Sequence, residues 1–92
     1  MHTTNTRWLS AVSGDILTRP KFPFIHKGVY LGDGRVFQNT PGHVEHVTDI
    51  DGFASGESVA VEPTPKQEKP NILKRVAEAL VHPKPYDHLN NN

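Results

Sequence analysis

The chain holds no cysteine in its 92 residues. Within them there is accordingly no disulfide, no thiolate metal site and no thiol nucleophile. It also lacks an excess of either charge, because ten Lys and Arg balance ten Asp and Glu. A protein that binds nucleic acid or anionic membranes over its whole surface normally carries a basic excess, so no nucleic-acid partner is expected. Long apolar runs are missing as well. Nothing approaches the ~18 residues a membrane span needs, and the start of the chain lacks the apolar stretch of a signal peptide. The expectation is a cytoplasmic protein with no membrane span. Apolar residues are scarce, at 35%, which allows one thin core in one small domain.

Histidine is plentiful by comparison, with six residues that make the charge pH-dependent on the acidic side of neutrality. Residues 1–13 begin polar and then carry Trp8, Leu9 and Val12, whose spacing fits one helical turn against a core. Gly14-Asp15-Ile16-Leu17-Thr18 reads as a strand entered from a turn. Pro20 and Pro23 speak against regular pairing, so residues 19–24 are expected to form a loop, anchored on apolar surface by Phe22, Phe24 and Ile25.

Two β-rich runs, 25–31 and 35–39, flank Asp33-Gly34. Asp-Gly between such runs predicts an antiparallel hairpin, because both turn residues tolerate positive φ. Strand alternation then puts His26 and Tyr30 on one face, with Gly28 between them leaving a shallow spot open to close approach. Thr40-Pro41-Gly42 reads as a turn, 43–48 as a further strand and 49–58 as a loop or short helical turn around Phe53. Residues 58–62 read as a short strand and 63–70 as a Pro-rich charged linker. Residues 71–81 predict an α-helix, with Asn71 as N-cap and a stripe of Ile72, Leu73, Val76, Ala79 and Leu80; Pro83 and Pro85 stop it. The fold class is α+β, a small antiparallel β-sheet of about four strands with one main helix packed on it, and residues 14–92 form a single domain.

Several constellations read as structural. His43 and His46 bracket Val44-Glu45, and His82 and His88 are further imidazoles. An odd separation sends His43 and His46 to opposite faces of a strand, so exposed histidines are expected and no metal or other cofactor. Asp15 invites pairing with His26 as acid and base, but a residue shaping the turn before the strand is the favoured reading. Lys66, Lys69, Lys74 and Arg75, offset by Glu68 and Glu78, read as a solvated face. Trp8, Phe22, Phe24 and Phe37 read as core or loop anchors.

The ordered set of segments carries a resemblance. Gly14-Asp15-Ile16-Leu17 is followed by His26-Lys27-Gly28-Val29-Tyr30-Leu31-Gly32-Asp33-Gly34, then Val36-Phe37-Gln38-Asn39 and Phe53-Ala54-Ser55-Gly56. A helix with Arg75-Val76-Ala77 comes next, then Pro85-Tyr86-Asp87 and Asn91-Asn92. This order resembles the lecithin:retinol acyltransferase-like family, a permuted branch of the papain-like NlpC-type cysteine enzymes, over nearly the whole chain from Gly14 onward. The resemblance implies the sheet half of a papain-like domain. It also implies acyl transfer, or amide or ester hydrolysis, by a Cys–His pair with a third polar residue orienting the His. The family His opens the strand before Gly-Val-Tyr, the place of His26. The orienting residue occupies the place of Gln38, where many relatives have His. Tyr30 becomes a pocket wall beside Gly28.

The family nucleophile sits in Asn-Cys-Glu-His-Phe at a helix start, where the helix terminus favours the thiolate and backbone N–H groups stabilise an oxyanion. The sequence reaches Asn92 where that Cys would come next. A short relative that has lost catalysis and a piece of a longer protein both stay open. The expected function is an acyltransferase- or cysteine-peptidase-like domain, inactive as it stands. The alternative is a non-catalytic protein-binding or inhibitor module that uses the residual cleft or an exposed sheet face. A homodimer through that face, or Trp8 docked across it, is expected to cover bare apolar surface.

Overall fold

A computed structural model describes residues 6–39 and 45–82. The expected turn at Thr40-Pro41-Gly42, the start of the strand at His43 and the stop at Pro83 and Pro85 lie outside the described residues. After a 3₁₀ turn at Thr6–Ser10 come strands β1 (Ile16–Lys21), β2 (Phe24–Gly32), β3 (Arg35–Gln38) and β4 (His46–Asp49). Then follow a short helix α1 (Ile50–Ala54), strand β5 (Ala60–Glu62), a 3₁₀ turn at Lys66–Glu68 and helix α2 (Lys69–Val81). The class is α+β as read, but the sheet has five strands, ordered β4-β3-β2-β1-β5 with each neighbouring pair antiparallel.

The Asp33-Gly34 hairpin forms with both turn residues at positive φ, 54° and 74°. It closes with a register shift between Tyr30 and Gly32, and the Tyr30 hydroxyl accepts the Gly34 N–H at 3.0 Å. The expected loop at 19–24 is instead a second hairpin. Pro20 pairs with Ile25 and Lys21 with Phe24, and a cis Phe22–Pro23 peptide lies in the turn. Proline is admitted because β5 reaches only Thr18; past that point β1 is an edge, where a missing N–H breaks no ladder on the outer side. Phe22, Phe24 and Ile25 are not anchors: they are 97%, 73% and 60% exposed.

Register sorts the sheet into two faces. Leu17, Gly28, Tyr30 and Val36 share one, and Ile50, Phe53, Ala54 and Val59 cover it to make the core. Trp8 docks at its margin with its ring 6.4 Å from that of Tyr30, while Leu9 and Val12 stay exposed. Gly28 is obligatory here. A Cβ on it would stand 2.6 Å from Val36 Cγ1, 2.9 Å from Phe53 Cε1 and 3.0 Å from the Phe37 carbonyl oxygen. The shallow spot expected at Gly28 is therefore occupied by the core itself.

α1 starts on Asp49, whose Oδ1 accepts the Gly52 N–H at 2.7 Å, and ends on Ser55 in the left-handed region. This one-turn helix after the edge strand folds Phe53 back over the sheet. α2 begins at Lys69, two residues before the expected Asn71 cap, with Pro70 in its first turn. Proline suits that position because its absent N–H has no helical acceptor. The expected linker at 63–70 thus holds a 3₁₀ turn and the helix start. Val76 is the buried residue of α2; the cluster that covers the sheet is built from β1, β2, β3, α1 and Val59.

Asp15 ties these parts together. Its carboxylate accepts the N–H groups of Val12 and Thr64, each at 3.0 Å, and meets Lys69 Nζ at 3.4 Å. Burial alone would raise its pKa, but the two backbone donors and the Lys69 charge outweigh burial and hold it below the ordinary 3.8. The favoured structural reading of Asp15 is thereby extended: it joins the turn before β1 to the start of α2.

Candidate active site

His26 lies on β2 and Gln38 on β3. The register that sets Val29 against Phe37 puts Gln38 level with Gly28, so His26 reaches Gln38 on the diagonal of the same face. The missing side chain at Gly28 leaves the space between them to Phe53. His26 Nε2 and Gln38 Oε1 are 2.7 Å apart. A carboxamide oxygen only accepts, so His26 donates from Nε2, and in the neutral ring Nδ1 is the bare, basic nitrogen. Gln38 is buried at 6% exposure, which shields this bond from water. The His26 ring stacks on Phe53 with centroids 5.4 Å apart and planes 26° from parallel.

Arg19 stands opposite His26 across the β1–β2 ladder. Its Nε donates to the Phe53 carbonyl at 2.7 Å and a terminal nitrogen donates to the Pro20 carbonyl at 3.1 Å. The guanidinium is thus fixed beside the imidazole and bound to the residue on which the imidazole rests. Burial, helped by the charges of Arg19 and Lys21, lowers the His26 pKa below 6.5 against the opposing pull of the Gln38 bond. At neutral pH His26 is an uncharged imidazole with a fixed tautomer, able to take a proton at Nδ1.

The structure brings His26 and Gln38 together. Tyr30 is buried in the core, with the Trp8 ring beside it and its hydroxyl accepting the Gly34 N–H of the turn. Gly28 shows its backbone to an open groove of about 320 Å³ on the opposite sheet face, along with Ile16, Val29, Phe37 and the exposed Lys27–Glu62 ion pair. Residue reading missed Phe53 and Arg19 as parts of the site. The Phe53 contacts with His26 and Arg19 span 27 and 34 residues of chain and depend on the β4–α1 turn, while Arg19 meets His26 across the β1–β2 ladder, in the segment expected to be a loop. His46 on β4 is the register partner of Gln38 and so lies on the same sheet face. Among the described residues no group of three His, Asp or Glu side chains is arranged to hold a metal ion.

No family model, curated protein or solved structure matches the chain.

Proposed function

We propose that the chain is the sheet portion of a permuted papain-like domain of the lecithin:retinol acyltransferase-like kind, with His26 as its general base and Gln38 as the residue that orients it. The reaction class is acyl transfer or hydrolysis at an ester or amide. The observation that carries this reading is the 2.7 Å bond from His26 Nε2 to Gln38 Oε1. A carboxamide oxygen on one imidazole nitrogen leaves the other free to take a thiol proton, the division of labour a Cys–His pair needs. The lowered pKa of His26 suits a base that must be uncharged before the thiol gives up its proton.

These 92 residues contain no thiol, so by themselves they are expected to give only background turnover of activated esters and amides. Turnover that disappears on His26→Ala would show that a nucleophile among them had been overlooked. The decisive experiment uses the gene's whole translated product. A cysteine alkylated by iodoacetamide at neutral pH, and alkylated at least about tenfold more slowly in His26→Ala, supports the pair, because general-base assistance of this kind contributes 10²-fold or more. A product without cysteine, or one whose cysteine ignores His26, removes the catalytic reading. The second reading, a protein-binding or inhibitor module, draws on the half-exposed Ile16, Val29 and Phe37 along the open groove.

A further inference from the structure

The β1–β2 hairpin ends in Phe22 and Phe24, the two most exposed large apolar side chains of the described residues, with the exposed Ile25 next to them. Phe22 is 97% exposed, Phe24 73% and Ile25 60%, side by side at the tip. A chain with so few apolar residues leaves two of its four phenylalanines in water there. Cations flank them. Arg19, Lys21 and Lys27 lie within residues 16–27, and that stretch has no acidic residue. Lys21 pairs directly with Phe24 across the strands. Lys27 pairs with Glu62 and Arg19 is held by the Phe53 and Pro20 carbonyls, so Lys21, beside Phe22 in the chain and opposite Phe24, is the cation set at the aromatic tip.

We propose that this tip is a membrane-interface contact, with Phe22 and Phe24 entering the headgroup and upper acyl region of an anionic bilayer while Lys21 meets lipid phosphates. A projecting hairpin suits a fluid surface, which requires only a depth of penetration and no matching pocket. Three side chains also fall short of the ~800 Å² per partner that a stable protein–protein interface buries, since a phenylalanine supplies about 150–250 Å². Basic residues beside aromatic ones are the composition that adsorbs to anionic lipid. The proposal is independent of the acyl-transfer reading, because it needs neither His26 nor a thiol.

The test is sedimentation of the full chain with vesicles of phosphatidylcholine alone and of phosphatidylcholine with phosphatidylserine. Binding to the anionic vesicles, weakened by salt, is expected. Phe22→Ser with Phe24→Ser should lower the partition coefficient on the order of 100-fold, roughly tenfold for each aromatic removed from the interface. Lys21→Gln should lower it about fivefold on anionic vesicles only. Circular dichroism should stay unchanged in both variants, since neither site is buried. Phe22→Trp in a Trp8→Phe background should shift its emission to the blue when anionic vesicles are added. Failure to bind vesicles, or equal binding by the chain and its double serine variant, overturns the proposal. So does a self-association that the serine variant abolishes in the absence of any vesicle binding, for the tip is then a protein contact.

Discussion

Gln38 is a buried polar side chain whose Oε1 bonds His26 Nε2. That gives substitutions at the pair a definite sign. Gln38→Leu keeps the volume and removes the acceptor, so the His26 Nε2–H loses its partner at a cost of about 1–3 kcal/mol in unfolding free energy. Because the Gln38 bond raises the His26 pKa against the effect of burial, the same change moves that pKa further down. Arg19→Met acts oppositely: it removes a positive charge beside the ring, and the pKa rises. An NMR titration of the imidazole resonances reads both shifts, and a denaturant midpoint reads the stability loss. Two residues with opposite effects on one titration separate orientation of the base from general loosening of the site.

At the scale of elements, Gly28 is where sheet and α1 meet. Gly28→Ala sets a methyl against Val36, Phe53 and the Phe37 carbonyl; a backbone oxygen cannot step aside as a side chain does. The expected cost is about 1–3 kcal/mol of stability by chemical denaturation, together with loss of the His26–Phe53 stack as altered His26 ring shifts. The elements that residue patterns foretold are those set by local chemistry. The Asp33-Gly34 hairpin needs only positive φ at two adjacent residues and alternation on either side. The helical turn around Phe53 needs only an Asp cap. What the sequence left hidden depends on neighbours far along the chain. Pro20 reads as a breaker unless β5 is known to stop at Thr18. Asn71 reads as a cap unless Glu68 already precedes the first helical residue. The facing of His26 and Gln38 was legible through the register that the family resemblance implies. The floor that Phe53 gives His26 was not, because it arises from the path of β4 into α1.

For the molecule as a whole, two groups among the described residues, His26 and Asp15, bind protons more weakly folded than unfolded, and both act in the same direction. His26 has a folded pKa below 6.5, so stability is undiminished above pH 6.5 and falls as the unfolded chain takes up the proton first. Asp15 has a folded pKa below 3.8, so its contribution is full above that value and is lost as pH falls through the depressed pKa. Denaturant midpoints across the pH range should therefore decline in two stages on acidification. Asp15→Asn should flatten the lower stage and leave the upper one in place. The His26 titration also links stability to the proposed chemistry, since the neutral form that stabilises the fold is the form that accepts a proton. One spectrum decides whether His26 is held as an oriented base: a long-range ¹H–¹⁵N correlation of the imidazole at neutral pH, followed through acid titration. A protonated Nε2, a bare Nδ1 and a pKa below 6.5 are the expected result. A proton on Nδ1, or a pKa at or above 6.5, would contradict it.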